Sequence, residues 1–223
     1  MICLENLHHR ILEIPDLCLE EGTTAVIGPN GAGKSTLLRL CAGVEEAAQG
    51  SVLIDGTIPR STNIGWVDEN PERTLLFERV SDEIASTLRF QGIPCPETEN
   101  QVRTIIEKLG ISALLTSPSW HLSAGEKVLV ALGAALAGKP RVLILDEVDS
   151  HLDPMTESRI HGILRESGIP YLLLCTQHME AAAAADWVVY LEGGRVLRCG
   201  FPQEVFSHLK NTCFYPQSWR ESR

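Results

Sequence analysis

Apolar residues fall in short runs near the start of this chain and in longer, helically spaced stretches in its middle. ICLENL, LCLE and TTAVI, within the first 27 residues, read as short strands separated by turn signals at Pro15-Asp16 and Glu21-Gly22. A glycine-rich loop follows, then a helix from about Lys34 to Cys41 that ends at Gly43. SVLIDG and NIGWV supply further strands. From about Ser81 to Leu115 the spacing turns helical, broken into two pieces by Pro94 and Pro96. Beyond HLSAGEK, the stretch VLVALGAALAG is apolar almost throughout, as a buried helix would be. RVLILDE and PYLLLC are continuous apolar runs, the pattern of parallel strands covered on both faces. A helix from about Met155 to Arg165 lies between them. WVVYLEGGRVLRCG predicts a hairpin turning at Glu192-Gly193-Gly194, and PQEVFSHLK a last short helix. Strands alternating with helices around a mostly parallel sheet predict an α/β fold. The helical block, about 70–120, reads as a subdomain inserted into a core made of 1–69 and 121–223.

Composition narrows the partners. With 19 Lys and Arg against 29 Asp and Glu, the formal charge is −10, which opposes any broad attraction to nucleic acid or anionic lipid. Seven scattered cysteines without a C-x-x-C pair indicate neither a zinc site nor a disulfide framework, and a reducing cytosol fits them. MICLENLHHR does not have the build of a signal peptide. The longest apolar stretch, Val128 to Gly138, lies between Lys127 and Lys139 and is about half the ~20 residues a bilayer requires, so a membrane role would be peripheral.

The chemistry begins at GPNGAGKST, residues Gly28, Pro29, Asn30, Gly31, Ala32, Gly33, Lys34, Ser35 and Thr36. It matches G-x-x-x-x-G-K-[ST] between a predicted strand and a predicted helix, the context in which that pattern binds nucleoside triphosphates. Backbone N–H groups would surround the phosphates, Lys34 would contact the β and γ groups, and Ser35 would ligate Mg²⁺. In VLILDE, Asp146 ends a strand where it would reach Mg²⁺ through water. Glu147 beside it would polarise an attacking water. Two adjacent carboxylates point to hydrolysis more than to transfer onto a second substrate, and so against a kinase. Ser123 followed by Glu126 is a capping box at a helix start, a geometry that is also an anion site.

In order, the phosphate loop, LSAGE at 122–126, VLILDE at 142–147, SHLDP at 150–154 and a lone His178 resemble the nucleotide-binding subunit of an ABC transporter over essentially the whole chain. The resemblance implies an ATPase with a P-loop NTPase core that uses ATP and Mg²⁺. It also implies that two subunits sandwich two ATP molecules, so that the signature segment Ser123, Ala124, Gly125 and Glu126 caps the γ phosphate held by a facing subunit, with Ser123 and Gly125 in contact with that ATP. Asp153 would join the two sites across the interface, and His178 would sense the γ phosphate. NPERTLLFERVSDEIA, with the helix containing EKLGI, is most similar to the ATPases of energy-coupling-factor and cobalt or nickel uptake systems. That implies three things: a second ATPase subunit, identical or paralogous; a transmembrane coupling partner received by the helical block, with Leu75, Leu76 and Phe77 as candidates; and a location on the inner face of the cell membrane.

Several positions depart from the family pattern. Glu69 stands where a Gln usually precedes Asn-Pro; a carboxylate can still ligate Mg²⁺ but adds negative charge beside the triphosphate. LSAGE replaces LSGGQ, Leu129 stands in place of a frequent Arg, and Val148 in place of a Pro. The aromatic residue that stacks on adenine is missing, with His8, His9 or Arg10 as substitutes. Two other readings share the motifs: a soluble ABC ATPase of an assembly pathway such as iron–sulfur scaffold building, and a weakly hydrolysing regulatory subunit.

Overall fold

The computed structural model describes residues 1–221. In chain order the elements are β1 (Ile2–His9), β2 (Leu12–Leu19), β3 (Gly22–Ile27), α1 (Lys34–Cys41), β4 (Gln49–Ile54), β5 (Ile64–Val67), α2 (Val80–Phe90) and α3 (Cys95–Lys108). There follow α4 (Ala124–Ala137), β6 (Val142–Asp146), α5 (Pro154–Glu166), β7 (Tyr171–Cys175), α6 (Met179–Ala183), β8 (Trp187–Glu192), β9 (Arg195–Gly200), α7 (Pro202–His208) and α8 (Gln217–Glu221). They form two compact units, one from residues 1–62 and from Pro170 onward, the other from Asn63–Ile169.

In the first unit, β1 lies between β2 and β4 in an antiparallel sheet. Ile2, Leu4, Leu7, Leu12, Ile14, Leu17 and Leu19 are all buried, so one face of β1 and β2 turns inward; the period of two holds on either side of the left-handed Asn6 and of Pro15 opposite it, where each strand takes one step of three. The turn expected at Pro15-Asp16 does not occur: β2 runs straight through, with Glu5 opposite Asp16 and Leu7 opposite Ile14. Proline is tolerated there because β2 is at the edge of its sheet, where a missing N–H costs no ladder bond. β3 pairs in parallel with both β7 and β8, and β9 returns antiparallel to β8. The core beside them gathers Ala25, Ile27, Val188, Tyr190, Val205 and Phe206. α6 and α8, too short to announce themselves by periodicity, complete it: Trp219 of α8 meets Phe206 edge-on, with ring centroids 5.5 Å apart.

The second unit joins β5 and β6 in parallel and packs α2, α3 and α4 together. α4 is apolar nearly all round because it is buried. A Cβ on its Gly133 would come 2.9 Å from Leu109 and 3.1 Å from Ile84, so the glycine sets how closely the helices approach. Pro94 is the N-cap of α3 and Pro96 lies in its first turn, so the prolines start a helix rather than only breaking one. Glu83, almost fully buried, accepts hydrogen bonds from the backbone N–H groups of Leu76 and Phe77 at 2.8 and 2.7 Å. This fixes the loop that presents Leu76, 80% exposed; Leu75 and Phe77 are half-buried. Among the described residues no helix is long and apolar enough to cross a membrane.

The β8–β9 turn shows how the first unit is locked. Gly193 and Gly194 both have positive φ, but only Gly194 is crowded: a Cβ there would sit 1.7 Å from the Ile11 carbonyl oxygen. Gly194→Ala is therefore expected to lower stability by about 2–4 kcal/mol in denaturant titration, while Gly193→Asn, in open space, stays within about 1 kcal/mol of the parent.

Candidate active site

The first unit carries the phosphate loop between β3 and α1. Gly28, Gly31 and Gly33 all have positive φ, at 147°, 78° and 103°. A Cβ on Gly28 would lie 1.9 Å from the Leu191 carbonyl oxygen, and one on Gly33 would lie 2.6 Å from a methyl of Leu12. Those two glycines let neighbouring chain back the loop. Gly31 differs, since nothing lies within 4 Å of where its Cβ would be, and the loop is open on that side. The Ala32 N–H donates to Pro29 at 3.1 Å, and Gly194 donates to the Ala32 carbonyl at 3.1 Å. Lys34, 5% exposed, folds its ammonium into the loop and donates to the Gly28 and Pro29 carbonyl oxygens at 3.1 and 3.4 Å. α1 begins there with Gly33 as an N-cap that offers no side chain and with no acidic residue in its first turn. Its N–H groups and positive dipole end are thus presented to an anion. A buried ammonium beside a helix start that has no side-chain cap fits a polyphosphate.

β7 runs beside β3 with Cys175 opposite Val26, so the segment after β7 emerges level with the phosphate loop. Gln177 donates to Asn30 of that loop at 3.4 Å. His178 is exposed at the N-cap of α6, and its N–H donates to the Thr176 hydroxyl at 2.8 Å. The structure thus brings His178 and residues 28–36 to the same end of one parallel sheet, where ligands of such sheets bind.

In the second unit, all five residues of β6 are buried, and Asp146, 3% exposed, ends the strand. Glu147 follows with φ 49° and ψ 34°, a left-handed conformation rare for a residue with a side chain. Val67 lies opposite Leu145, so Glu69 and the Asp146-Glu147 pair leave β5 and β6 at the same end. Ser123 and Glu126 form the expected capping box: the Ser123 hydroxyl accepts from the Glu126 N–H at 3.3 Å, and the Glu126 carboxylate accepts from the Ser123 N–H at 2.8 Å. Ser123 and Ala124 remain exposed, while Gly125 and Glu126 are half-buried. Asp153 caps α5, accepting from the Met155 and Thr156 N–H groups at 3.0 Å each. The Thr156 hydroxyl bond, joined by those backbone bonds, holds its carboxyl below the usual range. Two departures have a packing reason: Leu129 is 4% and Val148 3% exposed, positions that a polar group could occupy only with a partner.

Of the substitutes for an aromatic base platform, His9 and Arg10 are engaged elsewhere. His9 Nε2 lies 2.9 Å and Arg10 3.3 Å from the Glu45 carboxylate, while His8 is exposed. Ile11, the 53% exposed apolar residue of the same turn, has its Cδ1 3.5 Å from the Cβ position of Gly33. Its signal was an aliphatic residue in a turn otherwise polar.

The family model described as ABC transporter matches residues 12–150. The energy-coupling factor transporter ATP-binding protein EcfA1 of Latilactobacillus sakei is 34% identical over 82% of this chain and 69% of its own length. A putative ABC transporter ATP-binding protein of Methanothermobacter marburgensis is 35% identical, covering 83% of this chain and 71% of the relative. Among solved structures, cbiO1 from Clostridium perfringens, part of the ABC transporter complex cbiONQ, superposes with a TM-score of 0.81 at 29% identity, over 92% of this chain and 90% of that one.

The left-handed backbone at Glu147 generates a test that is independent of catalysis. Glu147→Gly and Glu147→Ala both lose the carboxylate, but only glycine relieves the backbone. Glu147→Gly is expected to be the more stable of the two by about 1 kcal/mol in denaturant titration; equal stability would mean that the turn is not strained.

Proposed function

The chain belongs to the ABC transporter family of ATPases, and from that membership we propose that it is the ATP-hydrolysing subunit of an energy-coupling-factor-like membrane transporter. The observation that carries the reading is the buried Lys34 ammonium inside a loop of left-handed glycines that opens a helix with no side-chain cap. Those groups bind the triphosphate through charge and N–H donors. Ile11 offers the base an aliphatic surface at the neighbouring turn. Ser35 and Asp146, with Glu69 as a further oxygen donor, would hold Mg²⁺, which when bound neutralises charge on the phosphate oxygens. Glu147 takes a proton from the attacking water, and His178 reports the γ phosphate to the rest of the subunit.

Ser123, Ala124, Gly125 and Glu126 complete the site of a facing ATPase subunit, identical or paralogous, and Asp153 lies at the join. The exposed Ser123 and Ala124 support this, since the capping box leaves that helix start presented outward. ATP draws the two subunits together, and hydrolysis releases them. The helical subdomain, about 70–120, receives the transmembrane coupling partner, with the 80% exposed Leu76 as a contact. The protein then sits peripherally on the inner face of the membrane.

Two measurements check this. A tagged chain extracted from its own host in mild detergent is expected to bring down an integral membrane protein; capture of soluble proteins alone would favour an assembly-pathway ATPase. Glu69→Gln is expected to shift the Mg²⁺ dependence of hydrolysis, because it removes a negative charge beside the triphosphate. Superimposable Mg²⁺ curves for variant and parent would take Glu69 out of the metal site.

A further inference from the structure

Cys3 of β1 lies directly opposite Cys18 of β2, and the two sulfurs are 2.8 Å apart, with the Cys18 thiol donating to Cys3 Sγ. Their sequence neighbours Ile2, Leu4, Leu17 and Leu19 are buried, so alternation puts both cysteines on the outer face of the hairpin. Cys18 is exposed and Cys3 half-buried. A disulfide needs the sulfurs to close to about 2.05 Å. β2 is the edge strand of its sheet, so it can make that small approach without displacing another strand of the sheet. No catalytic or binding role described above uses either residue.

We propose that Cys3 and Cys18 are a reversible thiol–disulfide couple, a modification site whose oxidant is a low-molecular-weight disulfide. The hydrogen bond sets the order of events. Cys3, whose sulfur accepts, attacks one sulfur of the small disulfide as thiolate; that S–S bond breaks, one small thiolate leaves, and a mixed disulfide forms on Cys3. Cys18 then gives its proton to solvent, and its thiolate attacks Cys3 Sγ. The Cys3–Cys18 bond forms and the second small thiolate departs. Two electrons pass from the pair to the small disulfide, which is reduced to two thiols. The Cys18 thiol is pushed up to about 11, first by its bond to Cys3 and then by burial and the nearby Cys3, Asp16 and Glu5 charges, which suits it to act second. The bridge would staple β1 to β2 at the end away from the turn, where Leu12 backs Gly33 of the phosphate loop. It gives the hairpin a covalent state that persists only while the surroundings are oxidising.

The full chain is equilibrated in graded ratios of glutathione disulfide to glutathione, quenched in acid, alkylated, digested and read by mass spectrometry. The expected product joins the Cys3 and Cys18 peptides, with a mass about 2 Da below their reduced sum, and it disappears when the ratio is reversed. Cys18→Ser is expected to stop at a glutathione adduct on Cys3. In urea the preference for this pair over Cys95, Cys199 and Cys213 should vanish. The proposal is overturned if the folded parent gives only glutathione adducts at Cys3 or Cys18, or if bridges to other cysteines form to an equal extent.

Discussion

The architecture of the first unit is arranged around one unfavourable object, a lysine ammonium taken out of water. Lys34 is 5% exposed, and burying a cation is costly unless polar groups surround it. Gly28 and Pro29 turn their carbonyl oxygens toward it, which requires a backbone that only glycine adopts easily at 28, 31 and 33. That backbone is in turn supported from behind by Leu191 at Gly28 and by Leu12 at Gly33. Both supports come from antiparallel elements, the β1–β2 and β8–β9 hairpins, which also hold each other through the Glu13 N–H and the Gly194 carbonyl at 2.8 Å. The loop's open side, at Gly31, is what remains for a ligand.

The second unit is organised around strained and capped turns. Glu147 is left-handed and stands between buried Asp146 and buried Val148. Strain at a residue with a side chain persists only where the surroundings impose it, and it is concentrated at functional sites. The Ser123 and Asp153 turns, by contrast, are stable helix caps in their own right. A capped helix start can be a structural end and an anion contact at once, because both use the same outward N–H groups.

Much of this was legible in the chain itself. The strand–glycine loop–helix at 22–41 and the buried strands at 142–146 and 171–175 have patterns that local physics makes unambiguous. Pro15 misled because proline signals a turn only when its missing N–H would be needed, and edge position is a tertiary property. α6 and α8 escaped because five residues hold too little periodicity, and α8 depends on Trp219 packing against Phe206 and Tyr215. The attraction of Glu45 for His9 and Arg10 is a tertiary contact that appears only once residues 9 and 45 are neighbours. The facing cysteines were hidden by the same mistaken turn, which obscured their shared register.

The central claim is that the loop around Lys34 binds ATP and that Glu147 breaks it down, as separable tasks. The most direct measurement is ATP affinity together with single-turnover hydrolysis in Glu147→Gln beside the parent. The account predicts affinity within about twofold and hydrolysis slowed by at least about 10²-fold, the scale of a lost general base. Unchanged hydrolysis, or a rate that falls only because binding is lost, would contradict it.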